Sequence, residues 1–185
     1  MIKEVANQTK KDMDKVIENT KQEFSKIQTG RAKPSLLDGV KAEYYGVPTP
    51  INQMAKISAP EPRQLLVAPF DKTVIGDIEK AILKSDLGLN PNNDGDLIRI
   101  NIPQLTEERR KQLVKVVKQK AEEGKISIRN VRRQANSDLE ELEKEGEISE
   151  DNYRRGLDNI QEITDEYIAK IDSLLENKTA DIMEV

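Results

Sequence analysis

No cysteine, histidine or tryptophan occurs in the 185 residues, and aromatic side chains make up only 3% of them. Each absence closes off a class of chemistry. Without cysteine there are no disulfides, no thiol nucleophile and no thiolate metal site, as expected of a chain kept in a reducing compartment. Without histidine the commonest general base, the Ser-His-Asp triad and the usual zinc sites are all unavailable. The scarcity of aromatics, with Phe24 and Phe70 both on expected core faces, removes the stacking platform on which unpaired bases are read. No apolar run approaches the roughly 18–20 residues of a membrane span, and the first fifteen residues hold no apolar core of a signal peptide. A soluble cytoplasmic chain that makes no use of a membrane is expected. No Walker A lysine motif is present, so any nucleotide hydrolysis belongs to a partner, and no cofactor is expected. Asp71, Asp94 and Asp96 are the nearest thing to a cation site, but the loop NPNNDGD lacks the closing glutamate of an EF-hand.

What the chain does contain falls into two grammars. From 2 to 27, Ile2, Val5, Thr9, Met13, Val16, Thr20, Phe24 and Ile27 recur every three or four residues, which predicts one apolar stripe on a helix. A second helix is predicted from Thr106, a good N-cap followed by Glu107 and Glu108, with Pro103 just upstream. Its stripe runs Leu113, Val117, Ala121, Gly124, Ile128, Val131, Ala135, Leu139 and Leu142 without a proline, and Gly146 ends it. That is a rod of roughly 55–60 Å at 1.5 Å per residue. A third helix starts at the N-cap Ser149 and carries Tyr153, Leu157, Ile160, Thr164, Tyr167, Ile171, Leu174 and Ile182. One-stripe helices of this length must share their stripes, so a long antiparallel three-helix bundle is expected.

Between the first two helices lie all eight prolines of the chain. Here period-two alternation predicts strands at 40–44 and 98–102, and the apolar run 65–70 reads as a buried strand. Residues 45–48 carry turn chemistry, and one of Tyr44 and Tyr45 is expected in the core. A short helix is predicted over 74–85, with Ile75, Ile78 and Ile82 inward and Gly88 beyond its end. The expected architecture is therefore α+β: a bundle of residues 1–30 and 105–185 with a small α/β domain, 31–104, inserted in it. The backbone must cross between them twice, at Thr29, Gly30 and Arg31 and again at Pro103, Gln104 and Leu105, which is hinge geometry.

Charge is distributed as unevenly as proline. From Arg109 to Arg133 there are ten basic and two acidic residues, whereas 137–185 holds five basic and sixteen acidic; the net charge of −4 conceals both. Lys111, Lys115, Lys118, Lys125, Arg129, Arg132 and Asn136 recur at helical spacing beside the apolar stripe, and Arg133 widens the row. Two readings stand. The basic face can pair with acids of the third helix, or it can meet a polyanion. The clustered arginines favour the second, since arginine engages phosphate oxygens bidentately. A rigid cationic rod without stacking groups would recognise folded nucleic acid by shape and phosphate position. The alternative function is a helical adaptor whose bundle binds another protein.

Five segments, TGRAKPSLL at 29–37, YYGVPTP at 44–50, SDLGLNP at 85–91, LTEERR at 105–110 and RNVRR at 129–133, resemble in order the signature segments of the bacterial ribosome recycling factor family. Lys33 and Gln134 depart from the residues frequent there. The resemblance covers the whole chain and implies a monomer of two domains in an L, a tRNA-like outline, with domain I the bundle and domain II a small β/α/β sandwich on a two-strand hinge. It implies a non-enzymatic factor that binds the large ribosomal subunit after termination and, with elongation factor G and GTP, splits the ribosome for reuse. It further implies that Arg110, Arg129, Arg132 and Arg133 contact ribosomal RNA, with Lys118 and Lys125 on the same rod and Arg31 at the elbow.

Overall fold

The computed structural model describes residues 1–184. The chain divides into two compact units, Met1–Ile27 with Glu107–Val185, and Gln28–Thr106. The first is built from α1 (Ile2–Ser25) and two much longer helices that close the chain, Glu107–Lys144 and Glu150–Met183. None of the described helices is long and apolar enough to cross a membrane.

The second unit opens with a 3-10 turn, Pro34–Leu37, and continues through β1 (Lys41–Tyr44), β2 (Val47–Pro50), a single helical turn α2 (Ile51–Met54), β3 (Ala55–Glu61) and β4 (Gln64–Pro69). It ends with α3 (Ile75–Lys84), β5 (Pro91–Asn93) and β6 (Ile98–Asn101). β1 and β2 form an antiparallel ribbon, and the other four strands form an antiparallel sheet in the order β3-β4-β6-β5. In the two central strands Leu65 pairs with Ile100 and Val67 with Ile98, so four fully buried side chains share one face. Ile78 and Ile82 of α3 close over the same core. Arg99 and Asn101 alternate outward, as a one-sided sheet requires.

Two aromatic expectations are corrected, the burial of Phe70 and that of one of Tyr44 and Tyr45. Phe70 is 73% exposed, Tyr45 72% and Tyr44 39%. Leu65 and Val67 set the inward parity of β4, so Phe70, at even parity and past the strand end, faces out. Tyr45 and Gly46 both hold positive φ, 48° and 82°, the tight turn that matches the twist of a two-residue hairpin. That turn lifts Tyr45 off the core, where its hydroxyl donates to Asp71 Oδ2 at 3.0 Å. Phe24 is buried as expected.

The helices over 107–144 and 150–183 are α4 and α5. Ser149 caps α5 by accepting from the Asn152 amide. Gly146, at φ +75°, ends α4: its amide bonds Glu143 and that of Glu147 bonds Leu142, the two bonds of a Schellman motif. The short connection folds α5 back antiparallel to α4. Ile2 lies near Gly156, and the Tyr167 hydroxyl donates to Asp14 Oδ1 at 2.6 Å, so α1 runs parallel to α5. Met13, Val117, Ile128, Leu139, Ile160 and Ile171 fill the interior. Gly124 admits a close approach: a Cβ there would lie 2.7 Å from Thr20 Oγ1 and 3.2 Å from Ile171 Cδ1.

Candidate nucleic-acid interface

Helix α4 owes its length to good helix formers, the absence of interior proline, and Glu107 and Glu108 placed against the positive end of its dipole. Leu113, Val117, Ala121, Gly124, Ile128, Ala135 and Leu139 are buried against the other two helices. At 100° per residue, the basic row lies about a quarter turn from that stripe, on the flank that borders α5.

The row is exposed for much of its length, and its charges meet different partners. Lys111 pairs with Glu107 one turn back, at 2.8 Å. Lys118 is exposed and has no hydrogen bond or ion pair among the described residues. Lys125 crosses to α5, with Nζ 2.5 Å from Asp172 Oδ1, and its side chain is 18% exposed. Arg129 donates from Nη1 to Glu122 Oε1 of its own helix at 3.1 Å, while 37% of its side chain stays exposed. Arg132 donates from Nη1 to the neutral Gln161 Oε1 at 3.2 Å. Arg133 is exposed and has no such partner among the described residues. Arg110 is half-buried with Nε unpartnered, and Asn136 Oδ1 is likewise buried and unpartnered, which leaves Asn136 aimed inward rather than at a ligand.

The carboxylates of α5 therefore do not cancel this face. Lys125 is the row residue an α5 carboxylate engages, and the guanidinium groups of Arg129, Arg132 and Arg133 remain at the surface. An exposed row of cations about 5–6 Å apart along a helix can bind a polyanion by displacing its counterions.

The residues expected at the crossings fall at one end of the second unit. Thr29 is buried and Arg31 half-buried. Gly30 holds φ +74°, and a Cβ there would lie 3.1 Å from Leu105 Cγ, so the outgoing and returning segments touch. The turn after β3 stitches both: Ala32 N–H donates to the Pro62 carbonyl and Ile102 N–H to that of Arg63, each at 2.8 Å. Arg63 also donates to Gln104 Oε1 at 3.2 Å, and Pro103 is exposed. Gln28 joins the same unit through a 2.7 Å bond to the Leu87 carbonyl, which starts it earlier than residue 31.

The aspartates of the NPNNDGD loop are engaged by protein donors. Asp94 accepts from the Asp96 and Leu97 amides, which hold its pKa below the ordinary carboxylate value, and Asp96 pairs with Lys72 at 2.6 Å. Among the described residues no group of acidic side chains is arranged to hold a metal. The residue that sequence reasoning missed is Gln161. Its place opposite Arg132 depends on the register of α5 against α4, which no local pattern reveals.

Comparison with known proteins extends the likeness through both units. The family model described as ribosome recycling factor matches residues 20–183. A ribosome-recycling factor of Halothermothrix orenii is 64% identical over 185 residues, 100% of each chain, and that of Bacillus subtilis is 58% identical over the same span. A solution structure of the ribosome recycling factor superposes with a TM-score of 0.83 at 41% identity, covering 100% of this chain and 98% of that one. Models for the T. thermophilus ribosome recycling factor and the E. coli elongation factor G bound to the E. coli post-termination complex give a TM-score of 0.70 at 50% identity, covering 99% of each chain. With sequence and fold alike matched from end to end, the chain belongs to the ribosome recycling factor family.

Proposed function

We propose that this translation factor docks on the large ribosomal subunit after termination and, with elongation factor G, splits the post-termination complex so that its subunits are reused. Arg129, Arg132 and Arg133 lie against ribosomal RNA phosphates, flanked by Arg110, Lys118 and Lys125, and Arg31 adds a contact from the second unit. The factor works as a cytoplasmic monomer and hydrolyses nothing itself; GTP chemistry is the elongation factor's. Residues 29–31 and 103–105 are the hinge on which the second unit is driven. The observation that carries the reading is the state of Arg132 and Arg133, which stand on a helix face with no carboxylate of the described residues paired with them. The T. thermophilus relative, bound together with elongation factor G to a post-termination complex, supports the choice of partners.

Four phosphate contacts would give log K a slope near −3 against log salt, at roughly −0.7 to −0.9 per contact. Arg132→Ala is expected to weaken large-subunit binding sharply with helix content intact. A subunit-splitting assay with and without elongation factor G and GTP tests the whole reading. Normal subunit affinity of the variant, or splitting indifferent to the elongation factor, overturns it.

A further inference from the structure

We propose that Gln161 is a positioning residue for RNA binding: it aims the Arg132 guanidinium outward without neutralising it. The inference rests on the reading of the basic row as the RNA-binding face. Gln161 is an exposed residue of α5 whose side chain is fixed at both ends of its amide. Oε1 accepts from Arg132 Nη1 at 3.2 Å, and Nε2 donates to Asp165 Oδ1 one turn along the same helix at 2.8 Å. The second bond decides the first. With the NH2 group committed to a carboxylate, the carbonyl oxygen must face Arg132; a flipped amide would set donor against donor and leave Asp165 unserved.

The amide also does what a carboxylate could not. The 137–185 stretch carries sixteen acidic residues, yet among the described residues Arg132 hydrogen-bonds there to the neutral Gln161. A carboxylate in its place would add the attraction of a full opposite charge to the hydrogen bond, which an amide dipole does not supply. A phosphate approaching an arginine already held by glutamate meets a cation whose charge is largely neutralised and is repelled by the carboxylate beside it. One approaching Arg132 competes only with an amide dipole, and the remaining N–H groups of the guanidinium stay available for bidentate contact. Arg129 supplies the contrast in the same helix, since Glu122 holds it at 3.1 Å. Asp165 is thus kept in play as an anchor but out of contact, one side chain removed from the cation.

The test measures affinity for purified large subunits across a salt series, with thermal stability in parallel, for wild type, Gln161→Glu, Gln161→Ala and Arg132→Ala. Gln161→Glu keeps the size and the acceptor towards Arg132, adds a charge, and gives up the donation to Asp165. The ion pair gained and the carboxylate repulsion introduced act on Tm in opposite directions, so Tm should change little, while binding weakens about tenfold at low salt and the magnitude of the salt slope falls by about one. Gln161→Ala should weaken binding about threefold with the slope unchanged, because the cation stays and only its aim is lost. If Gln161 merely holds the helices together, glutamate serves as well and binding does not fall. Unchanged affinity and slope in Gln161→Glu, alongside a clear loss in Arg132→Ala, overturns this inference and spares the RNA-binding reading. No loss in Arg132→Ala overturns both.

Discussion

In the bundle, Thr9, Thr20 and Thr164 and the glycines Gly124 and Gly156 occupy buried helix positions, whereas the buried cluster of the second unit is made of isoleucine, leucine, valine, methionine and alanine. Each bundle threonine satisfies its hydroxyl on the carbonyl four residues back in its own helix, at 2.7–2.9 Å. These polar groups therefore cost the interface no unpaired donor, and they make no bond across it. What they do is keep the side chains short. The distance between long helices is set by how little stands between them, while the small sheet unit holds together by how much aliphatic volume its strands and α3 supply. Adding atoms should hurt the first and removing them should hurt the second.

The largest effect is expected from removal in the second unit. Ile100→Ala, at a fully buried position on a central strand, should lower stability by roughly 2–5 kcal/mol in urea denaturation. Addition in the bundle comes next. Gly124→Val places its Cβ 2.7 Å from Thr20 Oγ1 and should cost roughly 1–3 kcal/mol, with part of the loss recovered when Thr20→Ala is added in a double-mutant cycle. Absence of coupling between the two sites would show that the helices part there freely, and the contrast between the units would fail. Gly30→Ala should cost roughly 1–2 kcal/mol, because φ of +74° disfavours an L side chain and Leu105 is already close.

The smallest effect is a bond across helices. Tyr167→Phe removes the donation to Asp14 and should cost ~1 kcal/mol near neutral pH. Burial first, and then the bond to Asp14, raise the Tyr167 pKa from 10.0 to about 12. A raised folded-state value means the folded chain holds its proton longer, so this contribution is intact below pH 10 and is lost as pH climbs through about 12. Stability measured from pH 9 to 12 should decline more steeply in the wild type than in Tyr167→Phe.

The bundle is legible in the sequence because a period of 3–4 residues, sustained over whole helices, has few other solutions; Ser149 and Gly146 mark their ends by local chemistry alone. In the second unit β1 and β6 are legible by alternation and β4 as an apolar run, but β2, β3 and β5 are not. Pro48, Pro50, Pro60 and Pro91 lie in those three strands and argue against them. The structure resolves the conflict by placing all three where a missing N–H does no harm, in the two-stranded ribbon or at the rims of the sheet. Phe70 misleads because an apolar run hides which parity faces in. The cations of the basic row can be read on one face of α4, but their partners cannot: Gln161, Glu122 and Asp172 enter through packing register and rotamer.

One further property belongs to α4 as an object. The return from the second unit ends at Thr106, and the helix begins at Glu107 and continues unbroken for 38 residues, close to 57 Å at 1.5 Å each. With no proline or bulge along it, nothing in the shaft can absorb torque. A twist or pull applied at Glu107 is therefore carried along continuous helix to Arg132 and Arg133, some seven turns away, and under the proposed function displacement at one end of the shaft would become strain at whatever the arginines hold.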